Sequence, residues 1–563
     1  MNIIVKNTCE AVGRERWNSL VSQNATNTIF QTYEWHRAFE ATYSGGHRGY
    51  ILCGNEGDDL VGIAPLCICS IRKKHVVRFF GYERADYCDF IYRSQRSDFI
   101  AEVFSFLRSN LSEWDRIELN NIPEGSPTHG LVSDACALLH LFPSPGKKLP
   151  CPALLFKDKD RPCDAVLKNK SLVRHHKYFS KQPDFCVSHS SSGEEISPHL
   201  GAFFDQHIAR WSTTAFPSLF LSRKHQEFYR NLVKELDATG WMLFTSLYSK
   251  GSPIAFHFGF VYHNKLIWYK PTFDILLSRH SPGDALLEEL MRYAQRHDLN
   301  ELDFTVGDEG YKRRYSNIVR YNISRDIFNS PVRYAANRIR RLTKDTINRL
   351  PSGLGRLSER IWENGIRGLP KQVVFALMLI LFRRSGVILY SRSEAPQSNL
   401  EKEFSREQLQ IRPGTLNDAI CFFGYLPAGE RHEAISATVK RFREGGTLFV
   451  ALQNGTIAGI AWVFSETSIE ISEVAYRMDL PDNSIVIGAC VTAPEFRRKH
   501  VYRTLLQSIS NSFSDKAQFI YCEEDNIASR KGIEKVFEGS RTIRMVSVCG
   551  IRFHIVKSIH GPR

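Results

Sequence analysis

Apolar residues along the 563-residue chain switch spacing in a recurring order. Short apolar or alternating runs bounded by polar turns predict strands in GYILCGN, DLVGIAPLCICSI and DRIELNNI. Apolar residues three and four apart predict helices in YEWHRAFEATY and FIAEVFSFLRSNL. The mixture returns after residue 151. DAVLKNKSLVRHHKYFSK and HQEFYRNLVKELDATG read as helices, and MLFTSLYS, SPIAFHFGFVY and NKLIWYKPTF as strands. The helix SPGDALLEELMRYAQRHDL and the strand ELDFTVG follow. A third block starts near 404. TLFVALQNGTIAGIAWVFS is a hairpin turning at Asn454-Gly455. TSIEISEVAYRM, IVIGACV and QFIYCEE read as strands, NIASRKGIEKVF as a helix, and RTIRMVSVCGIRFHIVKS suits two closing strands. The pattern predicts an α/β (α+β) protein of mixed central sheets flanked by helices.

Punctuation divides the chain. SPGKKLPCP (144–152) reads as a boundary, which gives domains at 1–150 and 151–330. Residues 331–392 read as a helical connector broken by Pro351, Gly353, Gly355, Gly365, Gly368 and Pro370, and 393–563 as a third domain. Within 331–384, twelve Lys and Arg outnumber three acids, which places nine of the formal +14 charges there. Such a segment faces an anionic membrane, a polymer or RNA, or is a solvated helix face. It ends in VVFALMLILF (373–382), which is too short to span a bilayer. That run suits a buried element, or peripheral contact with a membrane interface. MNIIVKNTCEAVGRERW shows no signal peptide, and no apolar run reaches about 18–20 residues. The thirteen cysteines are scattered without a CxxC, which argues against a zinc ribbon or disulfide scaffold. These features predict a cytoplasmic protein, at most at the inner face of the membrane, with no metal site.

Candidate chemistry begins in IVIGACVTAPEFRRKHVYRTLL (485–506). A strand ends at Pro494, a basic cluster follows, and a helix starts near His500. Free N–H groups there favour an anion, and Arg497, Arg498 and Lys499 add donors. The stretch resembles the acetyl-CoA signature of the GNAT acyltransferase superfamily, V-x-x-P-x-x-R-x-x-G-x-(G/A). Val491, Pro494 and Arg497 match, while His500 and Tyr502 replace the two small residues. Asn526-x-Ala528-Ser529 resembles the next motif, where Ile533 replaces a tyrosine often used as general acid. The resemblance covers about 404–563. It implies acetyl-CoA, or another acyl-CoA, held by Val491, Arg497, Arg498, Lys499, His500, Val501, Tyr502, Asn526 and Ser529, in a modified cradle.

SPGDALLEEL (281–290) is a second cradle. Ser281 can cap the helix, Asp284 can complete a capping box, and Gly283 leaves room at the free N–H groups. A well-made helix start explains the same residues. Residues 20–330 also resemble the CelD-type acetyltransferases, relatives of the FemAB-type transferases, built as two GNAT-like halves. The matching residues include Phe30-Gln31-x-x-Glu34-Trp35, Asp86-Tyr87-x-Asp89, His207-x-x-Arg210-Trp211, Ser281-Pro282-Gly283, Asp303-Phe304-x-x-Gly307 and Tyr311-Lys312. The two resemblances together imply three GNAT-like folds. They imply Asp303, Tyr311 and Lys312 near a cleft, with Asp303 as general base and Lys312 on a phosphate or on developing charge. The acceptor would be a small molecule, an amino sugar or a glycan precursor of the cell envelope. Two rival readings are aminoacyl transfer from aminoacyl-tRNA, the one nucleic acid to consider, and a binding or scaffold protein built on degenerate GNAT folds.

Overall fold

The computed structural model describes residues 1–338 except 72–73, 111–113 and 158–162, then 382–392, and 409–559 except 549–550. Most of the basic connector, and VVFALMLILF apart from Phe382, lie outside the described residues. The chain divides into two compact units, Met1–Arg210 with Ser218–Ile347, and Asn348–Arg563 with Trp211–Pro217.

The first unit holds two meanders of the same design. Strands β1 (Asn2–Lys6), β2 (Arg48–Glu56), β3 (Asp59–Ile71) and β4 (Lys74–Phe79) run antiparallel, with the short β5 (Ile91–Tyr92) on β3. β6 (Arg116–Pro123) then lies parallel to β4. After β7 (Phe142–Pro143) and β8 (Lys147–Leu155) the design repeats. β9 (Cys186–Ser190), β10 (Met242–Ser249), β11 (Ser252–Tyr262) and β12 (Lys265–Phe273) run antiparallel, and β13 (Glu301–Asp303) is parallel to β12. β14 (Ile318–Phe328) comes last. The sheet order is β1-β2-β3-β4-β6-β14-β8-β13-β12-β11-β10-β9. So β8, which follows the first meander in sequence, closes the second, and β14, which follows the second, closes the first.

The stretch 144–152, expected to be a boundary, therefore contributes most of a central strand. Pro150 and Pro152 within that strand read as a boundary because proline rarely sits inside a sheet. Here Pro150 and Pro152 have a full ladder only on the β14 side. On the other side their carbonyls accept from the Gly307 and Phe304 N–H groups, so no proline N–H is required.

Aromatic packing locks the halves together. Trp35, fully buried, lies on helix Tyr33–Tyr43 of the first half. Its ring meets Phe30 at 4.7 Å, and Phe228, Tyr269 and Phe260 of the second half at 5.5, 5.7 and 6.1 Å. These near-perpendicular pairs suit the ring quadrupoles.

The second unit repeats the design once more. Its sheet runs β16 (Leu409–Pro413), β17 (Thr447–Gln453), β18 (Thr456–Ser465), β21 (Ser484–Thr492), β22 (Ala517–Glu523), β15 (Phe382–Arg392), β23 (Gly539–Val548), β24 (Ile551–Ile559). β21 and β22 are the parallel pair. Two expectations are corrected here. The last eleven residues of the expected connector are β15, an interior strand of this sheet. Val387 and Leu389 enter one apolar cluster, and Ile388 and Tyr390 another. TSIEISEVAYRM is not one strand but a separate hairpin, β19 (Ser468–Ile471) and β20 (Tyr476–Asp479), turning where Ala475 is left-handed.

Candidate functional site

Each parallel pair ends at a fork where its strands separate, and the three forks differ chemically. In the first half the last pair is Arg78 and Glu118, which form an ion pair of 2.6 Å. In the second half it is Ile267 and Asp303. In the second unit it is Ile487 and Ile520, both buried. Only the second of these presents an acid that is not tied to a base.

Asp303 is buried, and its Oδ1 accepts from the Tyr87 hydroxyl and the Thr305 N–H, both at 2.8 Å. Its Oδ2 takes no hydrogen bond from the described residues. Burial above all, then the Glu301 charge, raises its pKa. Asp303 lines a cavity of about 530 Å3 together with Thr26, Asn27, Tyr87, Glu124 and Arg320. Tyr87 belongs to the tract Asp86-Tyr87-x-Asp89, so that tract reaches the fork. Asp89 instead accepts from Thr26, Ser126 and Thr128 and holds loops together.

Beyond the fork, β12 runs on to helix Pro282–Arg296. A cavity of about 200 Å3 opens there, lined by Arg210, Trp268, Thr272, Ser281, Gly283 and Tyr311 among others. The Gly283 N–H has no protein acceptor among the described residues. A side chain at Gly283 would crowd Phe273 at 3.1 Å. The expected capping box does not form. Ser281 sits in the left-handed region (φ 51°) without a side-chain cap, because its carbonyl takes the Asp284 N–H. The Asp284 carboxylate accepts from or pairs with His175 Nδ1 at 2.9 Å instead.

The strand edge facing this cavity is unusual. The Asp274 N–H points back to Ile254 on β11, so alternation turns the main-chain groups of Pro271 and Phe273 outward. Pro271 has no N–H, and its carbonyl accepts from Arg210 Nη1 at 2.7 Å. The Arg210 guanidinium also lies over the Phe273 ring at 4.6 Å, and burial lowers its pKa.

Tyr311 lines this cavity, and its hydroxyl accepts from Trp268 Nε1 at 3.1 Å. Lys312 does not join it. Its ammonium donates to the Val306 carbonyl at 2.8 Å and pairs with Glu309 at 3.1 Å, which braces its own loop. Sequence reasoning missed Arg210 as a cavity residue, although it stood in the quoted motif. It also missed Lys270, beyond the fork on β12, whose pKa burial lowers. A lysine following the apolar run Leu266–Tyr269 inside the strand was the available signal.

In the second unit, Arg497, Arg498, Lys499 and His500 are exposed, and Arg498 (φ 65°) and His500 (φ 58°) are left-handed. That backbone explains why glycine is expected at 500. Val491, one residue before the end of β21, lies beside Ile460. Val501 is buried in the core. The Tyr502 ring lies where a Cβ on Gly532 would be 2.8 Å away, and burial raises its pKa. Asn526 accepts from the Ser529 N–H at 3.1 Å and so caps helix Ile527–Ile533, which occupies both residues structurally. Ile533 is fully buried.

Residues 170–313 match the acetyltransferase (GNAT) domain family. The protein is an acyltransferase. Its matched segment contains β9 to β13, the fork at Asp303 and the cavity at Gly283. Among solved structures it is similar to FemX, at 10% identity and TM-score 0.44 over 59% of this chain and 98% of that one. It is also similar to the C-terminal domain (DUF2156) of a putative lysylphosphatidylglycerol synthetase from Agrobacterium fabrum, at 13% and 0.37 over 58% and 95%. A third is a tandem GNAT protein from the clavulanic acid biosynthesis pathway, at 10% and 0.33 over 57% and 97%. No curated protein matches the chain.

Proposed function

We propose that the second half of the first unit transfers an acyl group from acyl-CoA to an amine or hydroxyl. The acceptor in this reading is an amino sugar or an envelope polysaccharide precursor. One observation carries it: Asp303, which ends the parallel pair, lines one cavity, and the strand it pairs with, β12, runs on to a second cavity whose wall includes Gly283. Gly283, Ser281 and Arg210 would hold the phosphates of the donor. The donor fits this wall in charge, since Arg210 and the helix N-terminus offset Asp284, which His175 already engages. Asp303 Oδ2 would take the proton of the attacking acceptor as it meets the thioester carbonyl, and the CoA thiolate leaves. Tyr311, held by Trp268, would stand beside the donor.

The test is calorimetric titration of acetyl-CoA into the full chain and into Gly283→Val. Binding at least about tenfold weaker in the folded variant is expected, since valine fills the cavity wall. Equal binding overturns the reading.

A second reading has its own observation. Pro271 and Arg210 blunt the strand edge on which a pantetheine arm would lie, which favours a donor that does not pair with that edge. Aminoacyl-tRNA is such a donor. Transfer of radiolabelled amino acid from charged tRNA, without response to acetyl-CoA, would select it.

A further inference from the structure

Helix Lys170–Ser180 packs on helix Pro282–Arg296. Its inner face buries Leu172 and Phe179 and sends His175 to Asp284 and His176 toward Glu289. Its outer face is different. Lys170, Val173, Arg174, Lys177, Tyr178 and Lys181 are all exposed. At 100° per residue they fall on one side of the helix, opposite Leu172 and Phe179. With Lys168 they line an open groove of about 650 Å3. Lys168 pairs with Asp164 at 3.3 Å, but no acid pairs with Lys170, Arg174, Lys177 or Lys181 among the described residues. From Lys170 to Lys181 the row extends about 16 Å.

We propose that this face docks on an anionic lipid surface. Four cations in one row match a sheet of lipid phosphates, with Arg174 also bonded to His175 Nε2 at 3.1 Å, and each is attracted to such a surface within a Debye length. The same row carries Val173 and Tyr178, at 39% and 41% exposure. A bilayer interface accepts both side chains, with an aromatic ring at headgroup depth and lysine stems lying along the apolar boundary. A single-stranded nucleic acid would want a free ring face for base stacking. One face of Tyr178 is already covered by His280, stacked at 4.1 Å and 4°. Through His175 and Asp284 this helix adjoins the rim of the cavity of about 200 Å3, so docking would bring that cavity to the lipid. The proposal does not depend on which donor the cavity takes.

The experiment is co-sedimentation of the full chain with equimolar phosphatidylglycerol–phosphatidylcholine vesicles and with pure phosphatidylcholine vesicles. The variants are Lys170→Glu/Arg174→Glu/Lys177→Glu, and Val173→Ser/Tyr178→Ser, each checked for its melting temperature. All five positions are exposed, so folding should persist. Wild type is expected to bind the anionic vesicles and release in half-molar salt. The charge-reversed variant should bind at least about tenfold more weakly, and the serine variant more weakly at every salt concentration. Failure of wild type to bind at low salt would overturn the proposal. So would equal binding by the charge-reversed variant, which would assign the attraction to another segment such as 331–384. Charge-sensitive binding of polyuridine RNA without vesicle binding would make the face a nucleic-acid surface and also overturn it.

Discussion

The second half of the first unit and the whole second unit build the same fork from opposite materials. One ends its parallel pair at Asp303, the other at Ile520. One keeps Gly283 at the helix start and leaves a cavity. The other places His500 in a left-handed turn and sets Tyr502 against Gly532. The helix start persists in both, but its neighbours differ: Gly283 lines a cavity in one, and the Tyr502 ring packs on Gly532 in the other. Donors at a helix N-terminus are thus only part of a cofactor site, and small side chains opposite them are the rest.

The sharpest test of this contrast is Asp303→Asn. The amide keeps an oxygen for Tyr87 and Thr305, so the fold should survive while the base is lost. Turnover is expected to fall about a hundredfold or more, and an unchanged rate would move the chemistry to another fork. Stability should change with pH in the opposite sense. The folded carboxyl holds its proton to a higher pH than the unfolded one, so wild type loses stability as pH rises from about 4 through the folded value. The amide does not titrate. Thermal melts should therefore show the variant gaining stability over wild type at pH 8, with no such gain at pH 4.

Next in size is Tyr502→Gly, which removes a packed ring and should cost about 3 kcal/mol by denaturant unfolding. Made in a Gly283→Val background, it should also raise acetyl-CoA binding above the weakened level of that parent. A folded double variant without such a gain would mean that volume is not what separates the two regions. The smallest effect belongs to His500→Gly. Relief of the left-handed backbone is offset by the greater freedom of glycine in the unfolded chain. A gain of no more than about 1 kcal/mol is expected, and a loss would mean that the imidazole contributes contacts of its own.

Much of this was legible in the sequence because local pattern and tertiary role agreed. DLVGIAPLCICSI is β3 residue for residue, and the Asn454-Gly455 turn falls between β17 and β18. What escaped was long-range pairing. GVILY inside β15 is a continuous apolar run buried on both faces, the mark of an interior strand, but it precedes the strands it joins. β8 was hidden by two prolines whose acceptability depends on N–H groups more than 150 residues away. At the site, Asp303 and Gly283 could be picked out by motif. The Tyr502–Gly532 fit could not, because one partner has no side chain to read. The partners of Lys312, Val306 and Glu309, were not legible because they depend on loop shape rather than on composition.

The exchange of β8 and β14 also has a cost in time. Ile318, which opens β14, follows the end of β6 at Pro123 by 195 residues. At roughly 5–20 residues per second of synthesis, the first meander waits roughly 10–40 s with an open strand edge beside β6. β8 emerges early and cannot fill that place by itself, because its own ladder runs along β14. During that interval the nascent chain exposes the kind of edge on which other chains aggregate, so the yield of this enzyme should depend on what shields the edge at the ribosome.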